Sequence, residues 1–299
     1  MRNAVGMQGI TPHLWFDTEA KEAAEFYTAL FPDSRITNVT TIHDTPSGDC
    51  DIVSFELSGQ PFMAISAGPL FSFNPSVSFH VACKTKGEID VLWGGLAERG
   101  TVLMELGAYP WSEKYGWVQD RYGLSWQVMF ARETRQKITP VLMFVGKVCG
   151  KAEEAVNFYA SVFHGAKIPN ILRYGKGEEP DKSGTVKYAA FTLLGHEFGA
   201  MDSAYEHRFT FNEAISFTVH CDTQKEIDYY WDKLSAIPEA EQCGWVKDRY
   251  GLSWQVVPAR LGEMMRSGDT EKIARVTKAL LQMKKLDLAA LKKAYGGRP

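Results

Sequence analysis

The chain has 299 residues, 45% hydrophobic and 23% charged, enough to bury one large core or two ordinary ones. A formal net charge of -3 leaves no general footprint for nucleic acid, which is not an expected partner, and every long apolar run is cut by a charge, Gly or Pro before it could span a bilayer. The opening MRNAVGMQGITPH lacks the apolar stretch of a secretory leader, and Cys50, Cys83, Cys149, Cys221 and Cys243 form no CxxC pair, so a cytoplasmic chain with reduced thiols is expected.

ITPHLWF at 10–16 reads as a strand. Ala23, Phe26, Tyr27 and Leu30 then fall at i, i+3, i+4 and i+7, the stripe of an amphipathic helix that Pro32 stops. Three β-like runs follow, RITNVTTI, DIVSFELSG and QPFMAIS, with Pro46, Ser47, Gly48 and Asp49 as a turn between the first two. That is one βαβββ unit. VSFHVAC at 77–83 opens a second, whose helix begins at Thr85 with Glu88 in capping-box spacing and buries Ile89, Leu92, Trp93 and Leu96. Strands TVLMELG, GWVQD and LSWQVMF complete it, the last two joined by a turn at Asp120, Arg121, Tyr122 and Gly123, where Gly123 takes a positive φ.

The same order then recurs. GWVQDRYGLSWQV from Gly116 returns as GWVKDRYGLSWQV from Gly244, with only Gln119 and Lys247 differing. FHVACKTKGEIDVLW from Phe79 is echoed from Phe217, ITPHLWF from Ile138, and EFYTALF from Asn157. Thr223 and Glu226 repeat the capping box, and Ile227, Tyr230, Trp231 and Leu234 the stripe. The polar ARETRQK between the halves reads as a linker. After Pro258, Asp269 can cap a helix with stripe Ile273, Val276, Leu280 and Met283, and Asp287 another with Leu288, Leu291 and Tyr295, ended by Gly296 and Gly297. Ten Lys and Arg against four acids from Arg260 to Arg298 give this tail a basic face, read as solvated rather than as a partner contact.

The element order, FY at the second turn of the first helix and D-x-x-G before the last strand resemble the vicinal-oxygen-chelate superfamily of glyoxalases, bleomycin-resistance proteins and dioxygenases. ITPHLWF and GWVxDRYGLSWQ are similar to its PhnB-like branch, and the resemblance covers residues 7 to 258. It implies an α+β fold of two tandem domains, each of two βαβββ units forming a curved open-barrel cleft, at 7–131 and 138–258, with a linker at 132–137 and a helical tail at 259–299. The label of demethylubiquinone methyltransferase that often accompanies this branch fits the residues poorly, because no Gly-rich loop leads from a strand into a helix as at a nucleotide-type cofactor site.

Catalytic members of the superfamily hold a divalent metal with His, Glu or Gln. By register those positions fall on Thr11, Ser76 and Gln127, and in the second half on Thr139, Ala214 and Gln255. Only the glutamines are plausible donors, so no metal and no cofactor is expected. Strand alternation puts His13 and Trp15, Ser78 and His80, and Ser125 and Gln127 on one face, opposite Leu14, Phe79 and Trp126, and these six are expected to line one cavity in the first half. Trp117, His220, Trp245 and Gln255 extend the candidate ligand set, while Val141 and Thr218 stand where His13 and His80 would recur. Trp126 and Trp254 read as core. Asp120 and Arg121 read as turn residues, and Cys243 as a buried thiol. Glu105, Tyr109 and Trp111 lie in a segment longer than its counterpart, so the clefts need not be equivalent.

The leading expectation is a small-molecule-binding protein without the standard metal site, with lyase-like or transferase-like chemistry open and no catalytic residue assigned. The alternatives are a metal-dependent glyoxalase or dioxygenase around His80 and Gln127, and an interaction module with vestigial clefts. Homo-oligomers fit any of these.

Overall fold

The computed structural model describes residues 9–45 and 47–297. The reading of the N-terminus as leaderless, the first two residues assigned to the first half, and Pro46 of the first turn fall outside them. No helix among the described residues is long and apolar enough to cross a membrane.

The first half holds β1 (Ile10–Phe16), α1 (Ala20–Leu30), β2 (Arg35–Thr45), β3 (Gly48–Leu57) and β4 (Gln60–Ser66), then β5 (Val77–Cys83), α2 (Lys86–Ala97), β6 (Thr101–Tyr109), β7 (Ser112–Gln119) and β8 (Ser125–Phe130). The second half repeats this with β9 (Ile138–Phe144), α3 (Ala152–Val162), β10 (Lys167–Arg173), β11 (Val186–Leu193) and β12 (His196–Asp202), then β13 (Ile215–Cys221), α4 (Gln224–Leu234), β14 (Trp245–Lys247) and β15 (Ser253–Pro258). Its last unit is one strand short. Residues 235–243 replace 98–115 of the first half, and that length holds only a 3₁₀ turn, Pro238–Ala240, where β6 would be. The tail forms α5 (Ala259–Met265), α6 (Thr270–Leu281) and α7 (Leu288–Gly296).

Local chemistry explains the helix starts. Thr223 accepts from Glu226 N while Glu226 reaches back to the Thr223 amide, a full capping box. Thr85 accepts from Glu88 N, but Glu88 reaches one residue further, to the Lys84 amide at 2.9 Å. Asp269 and Asp287 cap α6 and α7 through the amides of Lys272 and Ala290.

The strands form two mixed sheets, ordered β14-β15-β13-β1-β4-β3-β2 and β10-β11-β12-β9-β5-β8-β7-β6. Each joins the first unit of one half to the second unit of the other, through antiparallel pairs β1 with β13 and β5 with β9. The core lies on the helix-facing sides, where the two units of a half meet and Phe62 packs 5.3 Å from Phe79.

One buried carboxylate ties each half together. Asp120 Oδ1 accepts the amides of Tyr122 and Leu124, and its Oδ2 accepts Tyr27 O–H at 2.6 Å and Trp126 Nε1 at 2.8 Å. Asp248 does the same with Tyr250, Leu252, Tyr159 and Trp254. The repeated DRYGLSW block is thus a structural lock between the last strand and the FY of the first helix. Gly123, at φ 84°, allows its turn.

Candidate functional site: two clefts shared by the halves

Neither half builds a cleft alone. The helix-facing sides of its two units bury against each other, which turns their concave faces apart, and the other half completes each face. The expected single cavity is therefore corrected: His13 and Trp15 belong to the seven-stranded sheet, whereas Ser78, His80, Ser125 and Gln127 belong to the eight-stranded one. Of the remaining candidates, Trp117 joins the eight-stranded sheet, and His220, Trp245 and Gln255 join His13 and Trp15.

In the eight-stranded sheet, Trp117, Gln127, His80 and Thr139 form one row across β7, β8, β5 and β9. Gln127 is pinned, since Oε1 accepts from Tyr115 O–H at 2.7 Å and Nε2 donates to Ser78 Oγ at 2.7 Å. Trp117 Nε1 donates to Ser125 Oγ at 2.8 Å. His80 differs. Its Nε2 is buried with no hydrogen-bond partner among the described residues. Burial disfavours the imidazolium and holds the His80 pKa down to about 4, so at neutral pH the ring offers one N–H donor and one acceptor. Across β9, the Tyr188 ring lies over Gly199, its hydroxyl 2.8 Å from where a Cβ would stand, so a side chain there would displace the tyrosine.

Tyr115 and Tyr188 were not among the sequence candidates. Tyr115 precedes Trp117 by two residues on the same strand, so alternation could have found it. Tyr188 needed the pairing of β11 with β12, which alternation does not supply.

In the seven-stranded sheet, His13 stands edge-on to Trp245 at 5.5 Å, and Trp245 edge-on to Trp15 at 5.9 Å. Gln255 Nε2 donates to Ser216 Oγ at 3.0 Å, and His220 Nε2 pairs with Thr11 Oγ1 at 3.0 Å. Burial holds His13 and His220 to about 4 as well.

The donors do not fit a divalent transition metal. The row in the eight-stranded sheet supplies one imidazole, one hydroxyl and an amide already committed to hydrogen bonds, and the matching row of the other sheet supplies Thr11, Thr218 and Gln255. Among the described residues no three His, Cys, Asp or Glu are placed to hold one metal ion. Ser76 and Ala214 lie just before their strands, and their carbonyls accept the amides of Met143 and Trp15.

The other marked residues have structural places. Trp126 and Trp254 are fully buried on the helix-facing side. Cys243 donates its thiol to the Leu280 carbonyl, and burial pushes its pKa up, the opposite of an activated nucleophile. Tyr109 and Trp111 stack at 5.0 Å by the tip of the β6–β7 hairpin, which has no counterpart in the second half, and Tyr109 O–H donates to the Glu105 carbonyl.

The family model described as 3-demethylubiquinone-9 3-methyltransferase matches residues 8–129 and again 136–257. No curated protein matches the chain. Among solved structures, the PhnB protein of Bacillus cereus is 40% identical over 42% of this chain and 100% of its own, with a TM-score of 0.39. Glyoxalase I of Zea mays is 12% identical over 85% of this chain and 95% of its own, with a TM-score of 0.52. A Bacillus subtilis protein assigned as a dioxygenase is 12% identical over 87% and 89%, with a TM-score of 0.51. The last two share this fold across both halves.

Proposed function

This chain belongs to the 3-demethylubiquinone-9 3-methyltransferase family, which it matches twice in tandem, and from its fold and site we propose that it binds a small, partly aromatic molecule in the cleft of the eight-stranded sheet, without a metal. One observation carries the reading: His80 Nε2, buried and without a hydrogen-bond partner among the described residues, lies in a row where Gln127 and Trp117 are already held in place. Buried polar atoms are nearly always paired, so an orphan beside the fixed Gln127 and Trp117 suits a ligand that supplies the missing partner. Trp117 in the same row, Tyr115 on Gln127 and Tyr188 over Gly199 would supply the aromatic surface.

Binding is favoured over general-base catalysis. An imidazole with a pKa near 4 is a weak proton acceptor at neutral pH, whereas as a fixed neutral donor and acceptor it orients a bound hydroxyl or carbonyl well. The test is mass spectrometry of small molecules released from the purified protein, with titration of 2-naphthol by tryptophan fluorescence. Wild type should bind, and His80→Leu should lose roughly 1 to 3 kcal/mol of binding if one buried hydrogen bond is lost. Equal affinity in the two proteins overturns the reading. Binding of a sulfonium methyl donor by wild type but not by His80→Leu would turn it towards methyl transfer.

A further inference from the structure

The concave face of the seven-stranded sheet carries polar groups that this function does not use, and the end of the chain roofs it. Val53 and Phe55 on β3, and Trp254 and Val256 on β15, are buried on the helix-facing side. Alternation and strand register therefore put Ile52 and its neighbour Ile42 on the concave side near one edge of the sheet, and Val257 near the other. All three pack in one apolar cluster with Met264, Met265 and Val276 of the tail. Thr40 Oγ1, beside Ile52, donates to the Met265 carbonyl at 3.4 Å. A segment that touches both β2 and β15, with four strands between them, spans the mouth of the curve.

Beneath this roof, His13 and Thr218 are only 4% and 2% exposed. His13 Nδ1 and Thr218 Oγ1 are nevertheless without a hydrogen-bond partner among the described residues. Such groups are costly to leave unmade in an interior, and two in one wall mark a place shaped for a ligand's acceptor atoms. Trp245 stands edge-on to His13, and Trp15 edge-on to Trp245, so aromatic surface adjoins the histidine. The positive charge of Arg266, at the end of α5, acts on His220 in the same wall.

We propose that this roofed cleft is a second binding site, for a planar aryl carboxylate, and that α5 and α6 must lift for the ligand to enter. The carboxylate accepts from Thr218 O–H and a His13 N–H while the ring lies against Trp15 and Trp245. The proposal is independent of the reading of the other cleft, so the test is made in full-length protein carrying His80→Leu. The probe is 1-naphthoate, followed by quenching of tryptophan fluorescence. Met264→Ser with Met265→Ser loosens the roof from its own side, and Ile42→Ser from the sheet side. Either should tighten binding at least tenfold, and adding His13→Leu or Thr218→Val should return the affinity to that of the parent.

Two results overturn the proposal: unchanged affinity when hydrogen exchange shows residues 259–282 loosened, or a gain that survives both wall substitutions, which would mean adhesion to bared apolar surface. Should the loosened variants fold poorly, exchange in the parent protein decides. Protection of residues 259–282 should fall as 1-naphthoate is added, and unchanged or raised protection rejects the roof as a gate.

Discussion

At the scale of single residues, the repeated DRYGLSW block shows how a legible motif can hide its purpose. The sequence displays Asp120 as a turn residue, and it is one. Its further partner, the Tyr27 hydroxyl, lies 93 residues away and could not be read from spacing. Tyr27→Phe removes one buried hydrogen bond to a charged group and should lower stability by about 1.5 to 3 kcal/mol in denaturant unfolding while leaving 2-naphthol binding unchanged. His80→Leu should do the reverse. It replaces an unsatisfied buried nitrogen with carbon, so the melting temperature should hold or rise as binding is lost. A fall in stability with normal binding would make His80 a packing residue. The buried histidines also set a pH dependence. His13, His80 and His220 have folded-state pKa values near 4 against an ordinary 6.5, so the unfolded chain takes up more protons between those limits. Their contribution is fully present above about pH 6.5 and is lost as pH falls towards 4. Burial pushes the Asp120 and Asp248 carboxyls up, which acts in the opposite sense near their own range. The clean readout is therefore the difference between proteins: His13→Leu should lose less stability than wild type between pH 7 and pH 5 in thermal melts.

At the scale of elements, caps and stripes made α6 and α7 readable, and both begin at the aspartates that their spacing indicates. α5 was not readable. It follows Pro258 directly, has no capping side chain, and carries Gly262 in a stretch of seven residues too short to show a period. Its two methionines reveal their role only through contact with strands far away in sequence. The missing counterpart of β6 was half legible, as a difference in length between the halves but not as the loss of a strand. Asp269→Ala removes the cap of α6 and should cost about 1 kcal/mol. Because α6 packs on β2, the loss should appear as faster hydrogen exchange across residues 259–297 with the sheet strands little changed. Uniform loss of protection over the whole chain would mean that the tail and sheets unfold together.

At the scale of the whole molecule, alternation told which side chains share a face but not which strands are neighbours. The pattern of β1 serves equally well beside β5 or beside β13, and only burial of the helix-facing sides of each half decides between them. This is why alternation could place the candidate residues on faces of their strands while their grouping into two sheets could not be read. It also changes what a cut in the linker does. Arg132, Glu133 and Arg135 are exposed and outside regular structure, so limited proteolysis should nick between Arg132 and Lys137 first. The two fragments should still elute as one particle of unchanged mass, held by the pairing of β1 with β13 and β5 with β9. Separation in native buffer would contradict that pairing. Residues 8–131 produced alone should form dimers by light scattering, since the edges of β1 and β5 would otherwise be bare. In such a dimer of identical halves, every substitution is written into both cavities at once, and neither can drift without the other. Joining the copies in one polypeptide releases that constraint. His80 faces Thr139 in one sheet where Thr218 faces Thr11 in the other, and Val141 sits where His13 does, so the two sheets have already parted. A single gene product can thus keep one cavity for an old task and retune its twin for a different one, a division of labour closed to a symmetric pair.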